Sequence, residues 1–467
     1  MMTKAESENT GSTEHRFPLT NNLSYMYQLY CSYILLFKDA DGAGTGFMSP
    51  ALLQQGLLAL VRTHYGPVAG WYEVGDGQIS VVYSDREFND PPFSTQELVI
   101  DYEALAGHVD ASNEELLVPD APAGLIAEAA GKMPMFLVKT THLRGGGGMA
   151  VGVKYHHSLF DGATFWPFMN NWAHVCKALK DGGGEAAIPY PPAFGFPDVA
   201  GAPHTGFQHT EYELVDPKDC VKEFQAGYEK TKEIRLQLDV EDQREIRTAA
   251  RAAGVSFTSM LSALFWKELN RIRLALKPTI GCELSLFTCT VNPRAALGLA
   301  PNLCGSPVVN MASKKTVAEV AALQVSELAR LVQHAISAGQ SPEYMRNSVR
   351  FLLAQRAREI DDDRNGRQTA RRLILAYIIP AAVKCAMSSS RTFRIYDTDF
   401  GFGAPVYVRP PYLPFDGCWR IWPTPKPAAA AAAAAAPDSL APIEIYLTQP
   451  EYVDPLESPL LSRFLPK

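Results

Sequence analysis

Two adjacent histidines, with an aspartate four positions after the second, are the residues of this chain best suited to chemistry. They lie in the heptapeptide HHSLFDG, residues 156–162. The pKa of imidazole lies near neutral pH, so a histidine can accept a proton in a reaction without strong tuning. Asp161 could contact the imidazole and set its tautomer, or turn away and hold the loop through an ion pair with a distant arginine. A buried, unreactive histidine is the structural alternative for such a turn.

The flanking sequence predicts that this heptapeptide connects a strand to a helix. Residues 133–143 and 149–155 are apolar stretches separated by RGGGG at 144–148, which predicts a β-hairpin. After Gly162, apolar residues recur at helical spacing as far as Leu179. If the strand continues to the turn, His156 and His157 point in opposite directions because side chains alternate along a strand, and only one of them should be the base.

Several segments resemble one known family. HSLFDG at 157–162 resembles the HxxxDG signature of the BAHD acyltransferases, and DFGFG at 399–403 resembles their second signature, DFGWG. The resemblance covers nearly the whole chain. It extends to the helical segment 52–71, SFTSMLSALFW at 256–266, NPR at 292–294 with the stretch 301–306, and the closing strand 442–447.

The resemblance implies an α/β fold of two similar chloramphenicol-acetyltransferase-like domains, with mixed sheets flanked by helices and a channel between them. We expect an N-terminal domain over residues 1–190, a crossover linker over 191–232 and a C-terminal domain over 233–467. Residues 1 to 16 are expected to be disordered, and Ser49-Pro50 to begin the first helix.

A low-complexity segment lies near the end of the chain. Residues 423–442 begin and end with proline and enclose nine consecutive alanines, 428–436. This composition predicts a flexible surface loop. A helix is the alternative because alanine favours helix, although nine residues are marginal alone.

The resemblance also implies roles for individual residues. His157 is the general base, Asp161 is structural and pairs with Arg294, and Gly162 allows a tight turn into the helix. Lost stability or activity in Arg294→Ala would support the pair. The second signature lies on a loop that shapes the cofactor side rather than doing chemistry; it consists of Asp399, Phe400, Gly401, Phe402 and Gly403.

The chain departs from the family pattern at the second signature. Phe402 replaces the usual tryptophan, so this position offers no indole N–H to an oxyanion. Ala404 stands where the family usually has lysine or arginine, which weakens a phosphate contact there. Possible oxyanion or donor-side contacts are Ser256, Ser388, Ser389 and Ser390. For the three consecutive serines, which precede the second signature, a solvated turn without such a role is an equally weighted alternative.

These features predict direct transfer of an acyl group from acyl-CoA to a hydroxyl or amine of a small-molecule acceptor. No covalent acyl-enzyme and no permanently bound cofactor are expected, and acyl-CoA is a co-substrate. The heptapeptide also matches the HHxxxDG signature of nonribosomal-peptide condensation domains, which leaves a carrier-protein-dependent enzyme as an alternative. A non-catalytic small-molecule binding protein on the same fold is the other. The Pro/Ala-rich composition is more typical of a fungal secondary-metabolism member than of a plant one.

Composition bounds the remaining classes of function. The chain has 467 residues, 47% of them hydrophobic and 20% charged, with a net charge of −7, which argues against nucleic acid as a partner. The most basic stretch, 346–372, also contains acidic residues and is expected to be a solvated helix or loop, with contact to CoA phosphates as the alternative.

The cysteines and apolar stretches bear on the cellular compartment of the protein. Eight cysteines without a CxxC pair are not a disulfide or metal framework, and the histidine pair lacks further ligands at metal spacing, so no metal is expected. The first 16 residues are polar, and the apolar run 373–383 is too short to span a bilayer. We expect a cytoplasmic monomer that does not associate with membranes.

Overall fold

A computed structural model of the chain shows a mixture of strands and helices. It describes residues 14–466 except 20–29, 41, 43, 76–77, 85–88, 101, 107–108, 110, 122–132, 145–146, 185–186, 195–200, 204–205, 217–218, 220–221, 223–225, 228, 367–370, 376–382 and 426–440. The predicted polyalanine loop therefore lies almost wholly outside the described residues.

The described chain contains the following strands and helices. The strands are β1 (Glu14–Leu19), β2 (Tyr30–Lys38), β3 (Trp71–Gly75), β4 (Gln78–Ser84), β5 (Phe93–Leu98), β6 (Phe136–Leu143), β7 (Gly148–His156), β8 (Tyr212–Val215), β9 (Thr231–Leu238), β10 (Leu284–Val291), β11 (Val309–Thr316), β12 (Arg372–Leu375), β13 (Val383–Ser389), β14 (Tyr407–Arg409), β15 (Cys418–Pro423) and β16 (Ile443–Pro450). The α-helices are α1 (Pro50–His64), α2 (Tyr102–Ala106), α3 (Ala111–Leu117), α4 (Gly162–Lys180), α5 (Val240–Ala253), α6 (Phe257–Leu276), α7 (Arg294–Leu297), α8 (Val317–Ala322), α9 (Val325–Gly339), α10 (Pro342–Arg364) and α11 (Pro459–Arg463). Short 3-10 helices lie at Gly44–Gly46, Gly66–Ala69, Pro278–Cys282, Ile395–Asp397 and Pro455–Glu457.

The chain forms two compact units, and neither is a single continuous segment. The first unit consists of Met1–Phe196, Asn302–Ser306 and Tyr396–Pro411, and the second contains the rest. The predicted domain boundaries at 190 and 232 remain predictions.

The first unit contains a five-stranded mixed sheet in the order β14-β2-β7-β6-β5 and a three-stranded sheet in the order β1-β4-β3. Strands β6 and β7 form the predicted antiparallel hairpin, in which Phe136 pairs with Tyr155. The predicted helix after the heptapeptide is α4, whose Trp172 and Phe168 pack perpendicular to the ring of Phe136. Both predictions are confirmed because the apolar periodicity of these segments matches the buried faces.

The second unit contains a six-stranded mixed sheet in the order β11-β10-β13-β15-β16-β9, with the pair β12-β8 beside it. Strand β13 runs parallel to both of its neighbours, β10 and β15. One face of the large sheet packs against helix α6, where Trp266 and Phe265 contact the rings of Phe287 and Trp419. The predicted strand over 233–238 is the main part of β9.

Two sequence-based expectations about local structure need correction. Residues 14–16, expected to be disordered, belong to β1, which pairs with β4 and is held by a salt bridge from Arg16 to Glu73. The pairing partner lies far along the chain, so the local polarity of this segment did not reveal it. Ser388 and Ser389 end strand β13 and do not lie in a turn. Proline at the first position of α1 confirms the predicted start of that helix.

Candidate active site

The histidine pair lies where β7 ends and the chain turns into α4. Strand β7 ends at His156, and the turn is closed by a hydrogen bond from the backbone N of Leu159 to the O of His156, 3.0 Å. Helix α4 then begins at Gly162. The strand fixes the direction of the first imidazole, and the turn releases the second from the sheet.

His157 has one described hydrogen-bond partner. Its Nδ1 lies 3.1 Å from the Oγ of Ser306, while among the residues that the structure describes none bonds to Nε2. His157 is only partly buried. Loss of solvation lowers the pKa of its imidazole, and the nearby carboxylate of Asp161 opposes this with a smaller effect. The neutral ring is therefore favoured at neutral pH, as a base requires.

Ser306 is a site residue that sequence reasoning missed. It is fully buried and has a positive φ of 41°, an uncommon conformation for a residue other than glycine. The preceding residues tie it to the histidine loop: the N of Gly305 donates to the O of Leu159 at 2.8 Å, and the N of Cys304 donates to the O of Ala193 at 2.8 Å. The sequence analysis included Ser306 only within 301–306, one of the stretches that resemble the family, and gave it no role.

His156 lies in a different environment from its neighbour. It is fully buried, with its ring centroid 3.9 Å from that of Tyr30 and perpendicular to the ring of Tyr72 at 4.9 Å. Burial lowers the pKa of His156 to about 3, so the ring stays neutral. Within the described residues, neither ring nitrogen has a hydrogen-bond partner. An aromatic enclosure of this kind supports packing rather than proton transfer.

Asp161 caps helix α4. Its Oδ1 accepts hydrogen bonds from the backbone N of Thr164 at 3.2 Å and from the Oγ1 of Thr164 at 3.1 Å, and the residue is 3% exposed. These contacts agree with a structural role that fixes the loop. Gly162 is the first helical residue and is not among the glycines with positive φ, so the left-handed region is not what requires glycine there.

Arg294 begins the short helix α7 of the second unit. It is 3% exposed, and its Nη1 donates to the Oδ1 of Asn292 at 3.1 Å. The predicted ion pair between Asp161 and Arg294 stays a prediction.

The second signature forms a loop organised around its own carboxylate. The Oδ1 of Asp399 accepts from the backbone N of Gly401 at 2.8 Å, of Phe402 at 3.0 Å and of Gly403 at 2.8 Å. Both glycines have positive φ, 92° and 96°. Glycine is needed at these positions because the backbone must turn its N–H groups toward one oxygen.

The C-terminal turn of α4 holds this loop. Lys177 lies 3.5 Å from the Oδ2 of Asp399, and Lys180 donates to the carbonyl of Gly401 while its ammonium lies 4.2 Å from the ring centroid of Phe402. The sequence analysis missed both lysines, although their i, i+3 spacing on the helix that follows the first signature was a readable signal. The loop is therefore attached to the same helix that begins after His157.

The aromatic residues of the second signature pack into the first unit. Phe400 is fully buried, and its ring centroid lies 4.9 Å from Trp172 and 5.7 Å from Phe37. Phe402 packs edge to face with Phe47, with a centroid distance of 5.5 Å. The ring that stands in the tryptophan position thus contributes packing.

The four candidate serines lie in the second unit. Ser256 caps helix α6: its Oγ accepts from the backbone N of Ser259 at 3.1 Å and lies 2.9 Å from the Oγ of Ser259. Its hydroxyl is thus engaged in the cap. Ser388 and Ser389 end β13, and the backbone N of Ser390 donates to the O of Ile421 at 2.9 Å.

The part of the chain that the structure describes shows neither a cluster of metal ligands nor a membrane-spanning helix. No group of three or more histidine, cysteine, aspartate or glutamate side chains lies together in a way that could hold a metal ion there. Among the helices of the same residues, none combines the length and apolar character needed to cross a membrane.

Comparison with known proteins now identifies the family. A family model described as the Transferase family matches residues 7–429. The chain belongs to this family, the BAHD acyltransferases. BAHD acyltransferase DCR of Arabidopsis thaliana is 24% identical over 429 residues, which cover 84% of this chain and 79% of that protein.

Two further proteins are similar to this chain, one in sequence and one in structure. Rosmarinate synthase of Plectranthus scutellarioides is 26% identical over 302 residues, which cover 63% of this chain and 64% of that relative, less than two thirds of its length. The crystal structure of F. graminearum TRI101 with coenzyme A and T-2 mycotoxin superimposes with a TM-score of 0.70 at 18% identity, over 94% of this chain and 95% of that one. The BAHD membership and the chloramphenicol-acetyltransferase-like fold predicted from the two signatures are confirmed.

Proposed function

We propose that this BAHD protein transfers an acyl group from acyl-CoA directly to a hydroxyl or amine of a small-molecule acceptor, with His157 as the general base. The observation that carries the proposal is the contact between His157 Nδ1 and Ser306 Oγ at 3.1 Å, which leaves Nε2 without a bond to any described residue. A base must be close to neutral, oriented and available on one nitrogen, and His157 meets these three conditions.

The proposed proton transfer sets the tautomer of the ring. Nε2 can accept a proton only if Nδ1 carries the hydrogen, so Nδ1–H donates to Ser306 Oγ in the active form. The acceptor hydroxyl or amine then loses its proton to Nε2 as its oxygen or nitrogen attacks the thioester carbonyl. Collapse of the tetrahedral intermediate expels the CoA thiolate, which takes up the proton, and the acyl group remains on the acceptor.

The oxyanion of that intermediate needs hydrogen-bond donors other than Phe402, which has none. The hydroxyl of Ser256 already serves the α6 cap. We therefore place this role with Ser388, Ser389 or Ser390 and with backbone N–H groups. What supports this is their place in the chain: Ser388 and Ser389 end β13, Ser390 follows them, and residues 391–398 separate the three serines from the second signature.

A direct assay tests the proposal. Free-thiol release is measured from a panel of acyl-CoAs with pooled alcohols and amines, for the wild type, His157→Ala and the control His174→Ala, an exposed residue on α4. We expect release by the wild type and the control but almost none by His157→Ala. Equal rates in all three proteins would contradict the role of His157 as the general base.

A second arm separates the alternatives that the sequence leaves open. The same acyl groups are offered on a phosphopantetheinylated carrier protein instead of CoA. Acyl transfer from the carrier protein but not from CoA would show that the acyl donor is tethered to a carrier protein. Binding of pooled acceptors without transfer from either donor would favour a non-catalytic binding protein.

A further inference from the structure

A groove on the second unit is lined mainly by apolar side chains. It has a volume of about 600 Å³, and its lining residues belong to α5, α6, α9 and the C-terminal helix α11 with the residue after it. On α5 these residues recur at intervals of three and four, so they share one face of that helix. The apolar lining includes Ile246, Ala249, Ala252, Met260, Leu264 and Phe464. A groove of this size and character is suited to a small apolar ligand.

Small side chains on α5 leave room above the buried ones. Ile246 and Met260 are buried and form the floor of the groove, whereas Ala249 and Ala252 are exposed along its side. Leucine at these two alanine positions would occupy the space and would still favour the helix. The groove therefore exists because α5 carries alanine where other helices of this unit carry larger apolar residues, such as Leu264 of α6.

The charged groups of the groove differ in how their hydrogen bonds are used. The guanidinium of Arg463 donates to the Oδ1 of Asp242 at 2.6 Å and to the Oε2 of Glu245 at 2.7 Å. The Nε of Arg330 donates to the carbonyl of Ala253 at 3.3 Å, and in the described part of the chain no carboxylate pairs with this guanidinium. Arg330 therefore keeps its terminal N–H groups for an anion.

A second donor lies beside Arg330. Ser326 precedes it by four residues on α9 and lines the same groove, so its hydroxyl is on the same side of the helix. Glu327, the acidic residue between them, is directed to the start of α9, where its Oε2 accepts from the backbone N of Gln324 at 3.0 Å. A guanidinium and a hydroxyl at one place are suited to a carboxylate.

The apolar floor and the cationic end together define one class of ligand. We propose that the groove binds an aliphatic carboxylate, with its methylene chain on Ile246 and Met260 and its carboxylate on Arg330 and Ser326. Covering the floor removes apolar surface from water, and the charged end of the ligand selects the orientation. This binding is separate from the proposed acyl transfer, and neither depends on the other.

Binding measurements on the whole protein test the site. Dissociation constants are determined by titration calorimetry for decanoate, decanol, decyltrimethylammonium and acetate, each below the concentration at which micelles form. We expect decanoate to bind about tenfold more tightly than decanol and still more tightly than decyltrimethylammonium. Acetate lacks the chain and should not bind measurably.

Three variants assign the binding to this groove, with melting temperatures to verify folding. Arg330→Gln should weaken decanoate binding by about tenfold and leave decanol binding unchanged. The double variant Ala249→Leu/Ala252→Leu fills the groove and should weaken both ligands by at least tenfold. Thr248→Leu adds the same side chain at an exposed position of α5 outside the groove and should bind like the wild type.

Four results would overturn the proposal. Equal decanoate affinity of the wild type and the folded double variant would reject the groove. Equal affinity for the three decyl compounds would reject the carboxylate. Competition between decanoate and CoA would assign the groove to the acyl donor instead of a separate ligand. Self-association of the wild type at high concentration that the double variant loses would assign the groove to a second copy of the chain.

Discussion

The two signature segments use their polar side chains in opposite ways. In the first, His157 has a single described hydrogen-bond partner, Ser306, and its other ring nitrogen bonds to no described residue. In the second, one oxygen of Asp399 accepts three backbone hydrogen bonds within its own loop. A side chain whose hydrogen-bonding capacity is used within its own loop organises structure, while one with capacity left over can act on a substrate. The comparison predicts that one segment controls rate and the other stability.

The largest effect is expected at His157. His157→Gln removes the base but keeps a polar side chain of similar length, so kcat should fall by about 10² to 10⁴. The melting temperature should change little because the residue is only partly buried. The measurement is steady-state thiol release beside thermal unfolding. A large loss of stability with only a modest loss of rate would show that His157, like Asp399, mainly stabilises the structure.

At Asp399 the balance should reverse. Asp399→Ala leaves three backbone N–H groups without their acceptor, which should lower the free energy of unfolding by about 2 to 3 kcal/mol. Asp399→Asn keeps an acceptor oxygen and should lose less. Denaturant unfolding measures both variants. Equal stability of Asp399→Ala and the wild type would show that the loop does not need its carboxylate.

The pH dependence of the free energy of unfolding tests whether His156, unlike His157, has a structural role in the first segment. Its pKa is about 3 in the folded protein and near 6.5 when unfolded, so below neutral pH the unfolded chain binds more protons. The stabilisation is complete above the unfolded pKa and is lost as pH falls. About 2 kcal/mol should disappear between about pH 7.5 and about pH 5. His156→Phe should show a weaker pH dependence of unfolding, and an unchanged one would reject this assignment.

The smallest effect is expected at Ser306, which positions the base. Ser306→Ala should lower kcat/KM by about tenfold because the ring loses its Nδ1 partner. The acid limb of the pH–rate profile should also move, since the base must be neutral and burial already lowers the pKa of His157 below 6.5. Ser306→Gly is the matched variant: it suits the positive φ and removes the same hydroxyl. Wild-type activity in the glycine variant would show that the hydroxyl is dispensable.

Local periodicity explains what could be predicted from the sequence. The β6–β7 hairpin, helix α4 and the position of the histidine pair between them follow from apolar spacing over a few residues. The contact between His157 and Ser306 joins positions 149 residues apart, and no periodicity encodes it. The sequence did not show where β13 ends, so it could not decide whether the consecutive serines lie in a strand or in a turn. The attachment of the second signature to α4 through Lys177 and Lys180 required knowing which helix lies beside that loop.

Strand β14 has a consequence for how the protein is made. It pairs with β2 at the edge of the first unit's sheet, yet its residues, Tyr407–Arg409, follow more than four fifths of the chain. A ribosome must therefore synthesise almost the whole polypeptide before that sheet can gain its last strand. Until then β2 presents an unpaired edge to the cell, where nascent chains and chaperones compete for it. Expression of the first 190 residues alone should yield an aggregation-prone fragment.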